Sequence, residues 1–124
     1  MTDRPINSYK DLDVWSAAMD LAAICYRHTT DYPKAEMFGL TSQIRRAVSS
    51  IPANIAEGHG RENTGSFIQF LRISQGSLKE LETHLLLSQR VGIAKAADVE
   101  QLIARCETIG RMLRGLIRAL QKRQ

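Results

Sequence analysis

Three histidines, two cysteines and a scatter of carboxylates are the side chains here with the chemistry to hold a metal or move a proton, and their spacing argues against both uses. A di-metal carboxylate bundle needs a Glu followed three residues later by a His on each of two helices. His84 instead follows Glu80 by four residues and Glu82 by two. His59 is flanked by Gly58 and Gly60 with no carboxylate arranged around it. His28 lies near Cys25, but no second pair with ligand spacing exists, so it is expected to face the dipole at the end of a helix. Cys25 and Cys106 each fall on an apolar stripe, where a thiol behaves as a small buried hydrophobe. There is no phosphate-binding Gly loop, no Ser or Cys nucleophile with a paired base and no zinc spacing. The expectation is a protein that is not an enzyme and uses no cofactor or metal.

Charge offers a different chemistry. Residues 105 to 124 carry six bases against the single acid Glu107, whereas residues 1 to 32 carry three bases and five acids. Arg111, Arg114, Arg118 and Lys122 step by three, four and four, which places them in one helical stripe opposite a seam containing Leu113. A row of cations at one-turn spacing can track phosphates. The simpler reading is a solvated face, with Lys122 complementing a helix C-terminus. Against it stands a sequence pI near 9.4. The stripe is therefore the candidate nucleic-acid site; the alternative is a structural or protein-interaction scaffold that binds no nucleic acid.

A second group of polar residues lies in the stretch Leu40 to Gly60. Leu40, Ile44, Val48, Ile51 and Ile55 make one apolar face, and Gln43, Ala47, Ser50 and Asn54 run beside it. Asn54 and Glu57 are expected to bridge helices or cap the chain around Pro52 and Gly58. One of Arg45 and Arg46 is expected to pair with Glu57, Glu80 or Glu82 of a neighbouring helix. Pro52 falls inside the pattern, so a kink is expected there, with the Ser49 and Ser50 hydroxyls answering the freed carbonyls.

The elements that carry these groups follow from period and punctuation. With 124 residues, 44% of them hydrophobic, and three prolines, the chain is long enough for one core, and residues 1 to 124 form a single domain. About eight N-terminal residues precede any periodic pattern and are assigned to a flexible terminus. A first helix should begin near Asp11 or Asp13 and run toward Thr30, burying Trp15, Met19, Ala22 and Tyr26, with Leu21, Ile24 and Cys25 widening the face. The central helix should be capped by Thr41 or Ser42. The third, capped by Thr64 or Ser66 and running to about Arg90, has a seam of Phe67, Leu71, Ser74, Leu78, Leu81 and Leu85. Ile68, Phe70, Ile73, Leu86 and Leu87 fall off that seam, a surplus that predicts a subunit interface. The fourth opens near Asp98 and repeats Val99, Leu102, Cys106, Ile109, Leu113, Leu116 and Leu120. Four helices of similar length with short connections predict an all-α, antiparallel up-down-up-down four-helix bundle. No apolar run is long enough to cross a bilayer and no secretory signal opens the chain, so the protein is expected to be cytoplasmic and off the membrane.

Taken in order, YKDLDVW, FGLTSQIRRAVSSIPANIAEGHGR and FLRISQGSLKELETHLLL resemble the bacterial four-helix-bundle proteins encoded in intervening sequences of large-subunit ribosomal RNA genes. That family includes the accessory variability determinant of diversity-generating retroelements. The motifs cover Tyr9 to Arg90, with a local departure at Val91-Gly92-Ile93, where relatives tend to have Leu-Gly-Tyr. The resemblance implies a homo-oligomer, a ring of five subunits, without enzymatic activity. For the retroelement branch it also implies binding to a reverse transcriptase and to nucleic acid. Gln43, Arg46, Pro52, Asn54 and Glu57, with Ile73 and Leu87, are the residues assigned to structure or to the subunit interface.

Overall fold

The computed structural model describes residues 5–124, in which four α-helices run antiparallel in chain order: α1 Asp13–Thr29, α2 Leu40–His59, α3 Thr64–Arg90 and α4 Ala96–Gln121. Residues 1–4 of the expected flexible N-terminus lie outside the described residues. Asn7 and Ser8 are tied down, because both backbone N–H groups donate to Asp11 Oδ2, closing a capping box on the 3-10 helix Tyr9–Asp11. The helices form a square in which α2 packs on α1 and α3, and α4 on α3 and α1.

The core is one cluster drawn from all four helices. Leu71, Ser74, Leu78, Leu81 and Leu85 of the α3 seam are buried, as are Val99, Leu102, Cys106, Ile109, Leu113 and Leu120 of α4. Three expectations are corrected. Helix α1 buries Val14, Ala18, Leu21, Cys25 and Thr29 and leaves Met19 and Tyr26 exposed, because a second line at steps of four, three, four and four carries the smaller side chains and lets the helix approach its neighbours closely. Ile68 is buried, one turn before Leu71, since α3 touches two helices and its core face is two lines wide at this end. In α4 it is Ile117 that enters the core, with Leu116 packed at its margin.

Helix ends also depart from the simplest reading. The cap position of α2 is Gly39, and Glu36 Oε1 accepts the Leu40 N–H at 3.1 Å, which frees Thr41 to turn inward. Asn63 caps α3 by accepting the Ser66 N–H at 2.9 Å. Gly92, at φ 82°, takes the left-handed conformation after α3 that other residues avoid. Helix α2 continues unbroken through the buried Pro52. The neighbouring hydroxyls do not serve the carbonyl that proline leaves: Ser49 Oγ donates to the Arg45 and Arg46 carbonyls, and Ser50 Oγ pairs with Ser77 Oγ at 2.8 Å. That pair and the Ser74 hydroxyl, which donates to the Ile51 carbonyl at 2.9 Å, knit α2 to α3.

Candidate nucleic-acid interface

Arg111, Arg114, Arg118 and Lys122 are all exposed on α4. Arg111 Nη2 donates to Thr108 Oγ1 at 3.2 Å, which holds its guanidinium against its own helix. The Arg114 guanidinium lies back over Gly110, with Nη1 3.4 Å from where a Cβ on that glycine would stand. Leu78 Cδ2 of α3 is 3.6 Å from the same point, so this is where the two helices meet. That contact fixes their register. Counting outward along antiparallel helices of equal rise, Arg72 falls beside Arg114 and Arg118, and Lys79 beside Glu107 and Arg111.

Arg72 and Lys79 are exposed cations that sequence reasoning missed, because their meaning lies in which helix α3 adjoins. Lys79 Nζ approaches Glu82 at 3.3 Å, yet its side chain stays 73% exposed. The basic area is bounded: Glu100 and Glu107 precede Arg111 on the same face of α4, so the charge changes sign halfway along the helix. Gly76 and Gly115 are exposed in this region, and a Cβ at either would meet nothing. Each costs its helix ~1 kcal/mol relative to Ala.

The polar residues of α2 sort differently. Gln43, Arg46 and Ser50 line a cleft with Glu80 of α3. Half-buried Asn54 donates through Nδ2 to the Ser50 carbonyl at 2.8 Å and to Ser50 Oγ at 3.0 Å, so it braces its own helix one turn before Gly58. Glu57 pairs with Arg61 at 2.7 Å on the surface. Arg45 takes none of the expected glutamates: Nε donates to Thr29 Oγ1 at 2.9 Å, Nη2 to the Tyr26 carbonyl, and the guanidinium lies 4.7 Å from the Tyr26 ring centre. Four of the exposed apolar residues flank α2, two on each side, while Leu86, 51% exposed, stands seven residues after Lys79 on its face of α3. Met19 is 44% and Tyr26 45% exposed toward α1, and Ile73 46% and Leu87 43% on α3. Trp15, Met19, Ala22, Pro52, Ala53 and Ala56 line an open apolar groove between α1 and α2.

Burial pushes the Cys25 and Cys106 thiols up to about 12, which keeps them protonated. His28 Nε2 sits 3.1 Å from the Tyr32 hydroxyl rather than serving the helix end, and burial lowers its pKa against the pull of Asp98 and Asp31. Among the described residues, no group of three or more His, Cys, Asp or Glu side chains is placed to hold a metal ion. No helix among them is long and apolar enough to cross a membrane.

Comparison with solved structures finds a protein of unknown function from the S23 ribosomal protein family of Bacteroides thetaiotaomicron VPI-5482, 24% identical, with a TM-score of 0.75 over 84% of this chain and 97% of that one. At that identity the likeness establishes the fold. No curated protein matches the chain. The family model described as 23S rRNA-intervening sequence protein matches residues 10–115, nearly the whole bundle, and the chain belongs to that family.

Proposed function

We propose that this protein is a non-enzymatic, oligomeric bundle that binds nucleic acid, or a partner that processes nucleic acid, through the basic face of α4. The observation that carries the reading is the exposure of Arg111, Arg114, Arg118 and Lys122 along one side of the helix, joined by Arg72 and Lys79 of α3. Assembly into a ring, with five as the favoured number, rests on the apolar residues left open on both flanks of α2, and it would repeat the basic face in every subunit. A reverse transcriptase is the protein partner to test in the retroelement setting.

Fluorescence anisotropy against labelled RNA and DNA tests the reading. Binding should fall steeply with salt because phosphates release counterions. Arg114→Glu with Arg118→Glu should abolish it while leaving the oligomer and its melting temperature nearly unchanged, since both side chains are exposed. No binding at low salt, or binding indifferent to the double substitution, would leave the protein as a scaffold without nucleic acid.

A further inference from the structure

Helices α3 and α4 carry the same pattern on their outer faces. On α4, Arg111, Gly115 and Arg118 stand at i, i+4 and i+7; on α3, Arg72, Gly76 and Lys79 stand at the same intervals. All six are exposed, and residues so spaced share one helix face. Each row is therefore a cation, a patch of bare backbone one turn on, and a second cation a turn beyond. The fold does not require either glycine, since a Cβ at Gly76 or at Gly115 would meet open space and both lie inside helices that alanine would favour. Glycine between two cations suits close approach by something outside the chain.

We propose that α3 and α4 together form a two-row docking face for double-stranded nucleic acid, each row following one sugar-phosphate backbone. This rests on the nucleic-acid reading above and adds the class of ligand. Packed helices lie about 8–10 Å apart, and the cations of each row span about 10 Å at 1.5 Å per residue. A single strand has one backbone and would engage one row. Single-strand binders also need aromatic platforms for the bases. Helix α4 has no aromatic residue. In α3, Phe67 and Phe70 lie against Gly58 of α2, and neither stands in a basic row. The face offers charge, which recognises phosphates rather than bases, and at each glycine room for close approach, the glycine N–H groups being used within their own helices.

The test compares an RNA duplex, a DNA duplex and the unpaired strands of each, of equal length, by anisotropy over a salt series. The intact protein should bind the duplexes at least about tenfold tighter than the strands. Arg72→Gln with Lys79→Gln should lower the salt slope for duplex by about 2, one phosphate per cation. Gly76→Ala with Gly115→Ala should raise the melting temperature and yet weaken duplex binding, the opposite of what a purely structural role predicts. Equal or tighter binding of single strands, an unchanged slope in the Arg72 and Lys79 variant, or unchanged duplex binding in the alanine variant would each overturn the proposal while leaving the α4 stripe intact. A change of subunit number in the alanine variant would also overturn it, by making this face a contact between copies. Loss of all binding to the intact protein would instead sink the nucleic-acid reading itself.

Discussion

Gly58 and Gly76 sit in neighbouring helices and should respond to alanine in opposite ways. A Cβ at Gly58 would stand 2.6 Å from Phe70 Cβ and 3.3 Å from the Phe67 carbonyl oxygen, atoms that cannot step aside without moving α3. Gly58→Ala should cost about 1–3 kcal/mol by overpacking, and Gly76→Ala should gain about 1 kcal/mol. Urea denaturation of the two variants checks both signs. Titration adds two further signs. Unfolded cysteine ionises near 9 and the buried thiols near 12, so above pH 9 the unfolded chain holds fewer protons than the native one and stability should fall as pH rises. His28 shifts the other way. Its folded pKa lies below the ordinary 6.5, so the stability it contributes is present above that value and is lost as pH falls through the folded pKa. Urea midpoints between pH 5 and pH 11 should trace a plateau with losses at both ends, and His28→Gln should flatten the acid side only.

At the scale of the element, what could be read from sequence depended on how many apolar lines a helix carries. The α3 seam was legible because Leu71, Leu78, Leu81 and Leu85 form a line of large residues around Ser74. Helix α1 has two competing lines, one of large side chains through Trp15, Met19 and Tyr26 and one of small ones through Val14, Ala18 and Cys25. Hydrophobicity favours the first and packing selects the second, a choice that depends on the helices alongside. The same limit hid half of the basic face: the stripe on α4 is a periodicity within one helix, but Arg72 and Lys79 join it only through the contact of Leu78 with Gly110. Arg45 found its partners on α1 for a similar reason, since the Thr29 hydroxyl and the Tyr26 carbonyl of the adjoining helix accept from its guanidinium. Ser74 shows what a polar residue does inside a legible seam. Its hydroxyl is fully buried and donates to Ile51 across the α2–α3 contact, so Ser74→Ala should cost about 0.5–1.5 kcal/mol and Ser74→Leu more, through overpacking. A Ser74→Leu variant as stable as the parent would show that the two helices are not held close at this level.

For the whole molecule, the segregation of surfaces decides what the bundle can do. Taking the helices round the square, the open apolar groove lies between α1 and α2, and the cation rows lie between α3 and α4, on the opposite side. A copy seated on the first would leave the second facing away. Ile73 and Leu87 add an apolar edge on the α2 side of α3, where the Gln43, Arg46 and Glu80 cleft also opens. A subunit with apolar surface on both flanks of one helix can use one for each neighbour, which is the arrangement a closed ring needs and a two-fold dimer does not. Light scattering at micromolar concentration should therefore report a multimer, and a monomer there would end the assembly proposal. Ile73→Asp and Leu87→Asp should each yield smaller species, because a charge buried without a partner at a subunit contact costs several kcal/mol. Both positions are about half exposed in the single chain, so the variants should keep their helical circular dichroism. Loss of helix along with mass would mean that these residues support the bundle instead of the contact between copies. Unchanged mass in both variants would leave the α1–α2 groove as the surface to substitute next, starting from Met19→Asp.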